Sequence, residues 1–169
     1  MNRIKKIVDG YLIFALLIDV IVVIGFWLIN VYAEQSAFIL NNQATNINIL
    51  STIIGSSIAL AGFVLASLTI IVALRSNVKS KIPENAETPL ELFFSIGTYR
   101  TIVKVFQIAI IELVICFIGS YIVWIGSCNI SNNVLFNFII SFVFIISMGT
   151  IRSLFVMFLL IAIDTKANG

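Results

Sequence analysis

The sequence predicts an all-α fold, a four-helix transmembrane bundle expected to assemble as an oligomer, and three observations carry that reading. Hydrophobic residues make up 60% of the chain and charged residues only 11%, against an apolar share of about 45 to 50% in soluble domains. Mean hydropathy is +1.13, and a water-soluble fold of this composition would leave large apolar patches exposed. Four apolar segments, residues 11–32, 49–74, 102–125 and 134–163, each supply the roughly 20 residues that a membrane helix requires. With their three connections they nearly use up the 169 residues, so the chain reads as one membrane domain, 1–169, with no room for a globular soluble domain. Finally, Lys and Arg are absent from two of the three connections.

The first segment follows Arg3, Lys5 and Lys6, as a signal peptide would. Its apolar run exceeds the roughly 7 to 15 residues of a signal core, however, and it ends in Trp27 and Tyr32 without a small-x-small cleavage site. It is expected to stay in the mature protein, with Asp19 near its middle. The second segment carries Thr52, Gly55, Ala59, Gly62, Ala66, Thr69 and Ala73 at alternating steps of three and four, a single stripe of small side chains along the helix. Such stripes let helices approach closely where lipid is as apolar as leucine. The stripe serves either packing inside one bundle or an oligomer seam, and spacing does not separate the two.

Residues 76–99 form the one sizeable connection. Lys79 and Lys81 precede Pro83, and Glu84 and Glu87 follow it. Thr88, Pro89 and Glu91 then reproduce a helix start, with a cap, a first-turn proline and a capping-box acid. The short helix so begun, 90–96, contains Phe93 and Phe94 and stops at Gly97. Its composition suits the membrane surface, and opposite charge blocks beside aromatics also suit a protein partner. The third segment has Glu112 near its middle. The fourth is longer than a perpendicular crossing needs, so it should tilt, bend or continue past the membrane. Ser147, Gly149, Thr150 and Ser153 around Arg152 mark the expected bend, and Phe136, Phe138, Phe142, Phe144, Phe155 and Phe158 are ordinary packing and lipid-facing bulk.

Positive charge orients the chain. Arg3, Lys5 and Lys6 precede the first segment, Arg75, Lys79, Lys81, Arg100 and Lys104 surround the central connection, and Lys166 follows the fourth segment. Residues 34–48 and 126–133 contain no Lys or Arg. This bias predicts both termini and the central loop in the cytoplasm. Trp27, Tyr32, Tyr121 and Trp124 then form an outer aromatic belt, with Tyr11 and Tyr99 at the inner interface.

Asp19, Glu112 and Arg152 are the sharpest departure from what hydrocarbon tolerates, since a charge there costs at least a few kcal/mol unless paired or neutralised. Counted from the cytoplasmic ends of their segments at about 1.5 Å per residue, all three lie roughly 12 to 18 Å deep and can share one layer. An Arg fork can serve two carboxylates. With two acids and one base, either the layer carries a net negative charge or one acid is protonated. The layer can be a network that fixes helix register or a lining for an ion or proton path; alternatively, Arg152 snorkels toward the cytoplasm.

Other chemistries find little support. The chain has no histidine, which removes the commonest metal ligand and general base. Cys116 and Cys128 are too few and too differently placed for a disulfide framework or a metal site. No nucleophile and base fall in a recognisable arrangement, so the chain reads as a non-enzyme without cofactors or metal. No basic face with interleaved aromatics points to direct nucleic acid binding. The tripeptide Asn129, Ile130, Ser131 matches a glycosylation sequon but is crowded against the membrane.

The run Gly55 to Asn77 (GSSIALAGFVLASLTIIVALRSN), the stretch Ser95, Ile96, Gly97, Thr98, Tyr99, Arg100, and the late Ile151, Arg152, Ser153, Leu154 resemble small four-pass inner-membrane subunits of bacterial anti-phage defence systems, the Kiwa membrane subunit among them. The resemblance implies a membrane sensor or membrane-perturbing effector in the bacterial inner membrane, controlled by a cytoplasmic protein partner. Two other functions remain open at this point. A small proton-coupled exporter would use Asp19 or Glu112 as its coupling acid, although no inverted repeat is visible. A holin-like pore would use the small-residue stripe.

Overall fold

The computed structural model describes residues 14–32, 42–76 and 98–167, with side-chain surroundings described for residues 14–30, 42–76 and 99–158. Four helices and one 3-10 turn account for nearly all of them: α1 (Ala15–Tyr32), α2 (Gln43–Ser76), α3 (Thr98–Gly126), the turn Ser127–Asn129, and α4 (Asn132–Ala167). No strand occurs among the described residues.

Local chemistry sets the helix ends. α2 begins six residues before the apolar segment at 49, because the Asn42 side chain accepts a hydrogen bond from the Thr45 backbone N–H at 2.8 Å. That bond satisfies one of the donors that a helix start leaves free. The polar run after Asn42 is therefore helix rather than loop. α3 stops at Gly126, the chain makes one 3-10 turn, Ile130 is extended (φ −103, ψ 134), and α4 opens with the Leu135 N–H donating to the Ser131 carbonyl at 2.9 Å. This short connection makes α3 and α4 an antiparallel hairpin. α4 runs as one helix of 36 residues. Ser147, Thr150 and Ser153, where a bend was expected, return their hydroxyls to the carbonyls four residues back at 2.7, 2.7 and 2.9 Å.

α2, α3 and α4 pack around two apolar clusters. One gathers Val64 and Ile71 with Ile102, Val105, Phe106, Ala109, Leu113 and Val156. The other gathers Leu50 and Ile53 with Cys116, Val123, Leu135, Ile139 and Phe142. α1 contributes to neither cluster and lies against α4. Large apolar side chains such as Ile29, Ile70, Ile122 and Phe158 point outward, while Asp19, Asn46, Glu112, Ser120 and Arg152 are buried. That arrangement inverts a soluble fold and matches a protein whose solvent is lipid.

Three helices, Gln43–Ser76, Tyr99–Asn129 and Asn132–Phe158, are long and apolar enough to cross a membrane. α1, at 18 described residues, is shorter. The central connection, with Lys79, Lys81, Glu84, Glu87, Phe93, Phe94 and the expected helix 90–96, lies outside the described residues. At its edge the Arg75 guanidinium sits 3.9 Å over the Tyr99 ring, tying the end of α2 to the start of α3.

Candidate functional site

The three ionisable residues that the sequence sets within apolar segments meet. Asp19 from α1, Glu112 from α3 and Arg152 from α4 are 2%, 4% and 3% exposed. They sit where the two apolar clusters adjoin, at Leu113 and Cys116 on α3 and between Phe142 and Val156 on α4. One nitrogen serves both acids. Arg152 Nη2 donates to Glu112 Oε2 in a short contact and lies 3.2 Å from Asp19 Oδ2. The expectation that one Arg can serve two carboxylates holds, and both acids converge on a single nitrogen. The snorkelling alternative does not hold, since the Arg152 side chain is 1% exposed and engaged at both acids.

Gly149 makes this convergence possible. It precedes Arg152 by one turn on α4, and a Cβ built on it would lie 3.0 Å from Glu112 Oε2 and 3.9 Å from the Ala109 Cα. The missing side chain lets the Glu112 carboxylate lie against the α4 backbone. Asp19 Oδ1 and Glu112 Oε1 are buried and accept no hydrogen bond among the described residues. Removing one partner from such a buried group leaves an uncompensated charge, which typically costs about 3–5 kcal/mol.

The layer continues into a polar seam that the sequence reading missed. Trp27 Nε1 donates to Ser141 Oγ at 2.8 Å, and Asn30 Nδ2 donates to Asn137 Oδ1 at 3.0 Å. Asp19, Trp27 and Asn30 lie on one face of α1, and Arg152, Ser141 and Asn137 on one face of α4, in antiparallel order. Trp27 was expected only as a belt residue; its ring also packs edge-on against Phe138 at 5.1 Å. The signal that could have revealed the seam was polar residues at helical spacing on both segments. Beside it runs a groove of about 480 Å³ walled by Val23, Ile24 and Leu28 of α1 and Phe138, Phe142 and Ile145 of α4. α1 thus meets α4 along a narrow line rather than a broad apolar face.

α2 is tied in by a matching contact, the Asn46 Nδ2 donating to Asn132 Oδ1 at 2.7 Å, and by Gln43 Nε2 donating to the Ser127 carbonyl at 3.1 Å. Its small stripe takes no part. Thr52, Gly55, Ala59, Gly62, Ala66, Thr69 and Ala73 are all exposed, and a Cβ on Gly55 or Gly62 would meet nothing within 4 Å. Of the two roles left open for the stripe, packing inside this bundle is not the one observed. The buried face of α2 instead carries Asn46, Leu50, Ile53, Ser57, Val64, Ser67 and Ile71, with the hydroxyls of Ser57 and Ser67 returned to Ile53 and Phe63 carbonyls at 2.7 and 2.9 Å.

Comparison of the chain with protein-family models, with curated proteins and with solved structures finds no match.

Proposed function

We propose that this protein is a non-enzymatic, oligomeric subunit of a bacterial inner-membrane anti-phage defence system, a membrane sensor or membrane-perturbing effector controlled by a cytoplasmic partner. The observation that carries the oligomeric part is the outward placement of the whole small-residue stripe of α2. A helix that spends seven small positions on a face its own bundle does not use has a surface suited to close approach by another helix in lipid. The charge bias assigns the central connection to the cytoplasm. That segment joins α2 to α3, so a partner bound at Lys79, Lys81, Phe93 and Phe94 would act on the stripe helix and on the Glu112 helix together.

Copurification from native membranes with mass spectrometry tests the subunit reading: a stable complex with a cytoplasmic protein is the expected result. Gly62→Leu should reduce oligomer size while the isolated bundle keeps its stability, because nothing in the bundle approaches Gly62. A monomer that brings down no partner and exports a small cation against a proton gradient when reconstituted alone would replace this reading with that of a small proton-coupled exporter. The buried acids that share Arg152 favour that second function.

A further inference from the structure

With all three groups ionised, the layer of Asp19, Glu112 and Arg152 holds two negative charges and one positive. All three residues are almost fully buried, and an unmatched charge in such a place costs several kcal/mol. Among the described residues no other element supplies the missing positive charge. α2 has no charged residue before Arg75, which is engaged with Tyr99. On α3 the nearest cation, Lys104, is eight residues from Glu112, about 12 Å along the helix. The remaining titratable group on that face is Cys116, buried one turn beyond Glu112.

A metal cation is a poor occupant. It would need several oxygen ligands, roughly six or more for a hard divalent ion, and it would face the guanidinium directly. Among the described residues no three His, Cys, Asp or Glu side chains form a set that could hold a metal. A proton meets the charge requirement without the several ligands a metal needs, and Asp19 Oδ1, Asp19 Oδ2 and Glu112 Oε1 are buried carboxyl oxygens that make no hydrogen bond among the described residues. The two acids are not equivalent. Glu112 Oε2 accepts a charge-assisted hydrogen bond from Arg152. Asp19 lies near the same nitrogen but neither of its oxygens makes a hydrogen bond.

We propose that this layer is a proton-binding site, in which Asp19 carries one exchangeable proton beside the charged pair of Glu112 and Arg152. The proton adds to a carboxylate oxygen from solvent, and no electron transfer is involved. Infrared spectroscopy of the full chain in lipid at neutral pH tests this directly. A protonated-carboxyl C=O band is expected, shifting when aspartate is labelled with heavy carbon at its side-chain carboxyl and unmoved by the same label in glutamate. Asp19→Asn, a neutral isostere of the protonated acid, should fold and lose the band, which separates Asp19 from the other aspartates. Absence of the band in the unmodified protein, a shift with labelled glutamate, or persistence of the band in Asp19→Asn would overturn the assignment.

Discussion

At the scale of single residues, the charged layer was legible in the sequence because hydrocarbon makes any ionisable side chain conspicuous. Counting helical rise from the segment ends brought Asp19, Glu112 and Arg152 to one depth, and the structure joins them through Arg152 Nη2. What counting could not supply was Gly149. Read alone it was a bend signal, yet its role is to leave space for a carboxylate, which only the α3–α4 packing reveals. Alanine has the better helix propensity by about 1 kcal/mol, so a glycine with open surroundings should gain or stay neutral on substitution. Gly149→Ala instead places a methyl 3.0 Å from Glu112 Oε2, tighter than ordinary contact, so that the oxygen bound to Arg152 has to shift. Its unfolding free energy in detergent should therefore fall about 1–3 kcal/mol below that of Gly55→Ala, the range seen for overpacked cores. Equal stability of the two variants would show that the layer does not depend on this gap.

Among whole elements, α2 shows how a correct periodicity can point to the wrong face. Its small stripe at 52, 55, 59, 62, 66, 69 and 73 and its buried stripe at 50, 53, 57, 64, 67 and 71 follow the same three-four rhythm displaced by two residues. Two residues turn a helix by about 200°, so the stripes lie on opposite sides. Both are allowed by spacing, and the small one drew attention because membrane helices so often associate through glycine and alanine. The branched side chains of the other stripe fill the space against α3 and α4. α1 presents the converse case. Most of its apolar side chains are exposed, and polar contacts fasten it to α4. For Asn30→Leu and Asn137→Leu, a double-mutant cycle should give a coupling of about 0.6 kcal/mol, the average for interhelical polar pairs in a membrane protein. Strictly additive losses would mean that the 3.0 Å contact contributes nothing to holding α1.

For the molecule as a whole, the two ends of the bundle differ in charge. One end carries Arg75 stacked on Tyr99 and is followed by the lysines of the central connection. At the other, uncharged amides meet in the pairs Asn46 with Asn132 and Asn30 with Asn137, near the connections that lack Lys and Arg. The positive-inside rule assigns the first end to the cytoplasm, and helix packing has no need of that asymmetry. Cysteine labelling in intact cells checks it, and the structure selects the positions. Asn42 and Asn132 are poor sites because each makes a hydrogen bond that a cysteine would lose. Native Cys128 is exposed in the turn between α3 and α4, and Ala44 is exposed at the start of α2. A Cys116→Ala variant should react through Cys128 with an impermeant thiol reagent added outside, and Ala44→Cys should do so in a variant lacking both native cysteines. Asn85→Cys in the same cysteine-free background should react only after the membrane is opened. Because Cys128 and Ala44 lie at the same end of the bundle, labelling of one without the other would contradict the antiparallel packing of α2 and α3. Labelling of Asn85→Cys from outside, with neither of the other two, would invert the protein and move the central connection out of the cytoplasm.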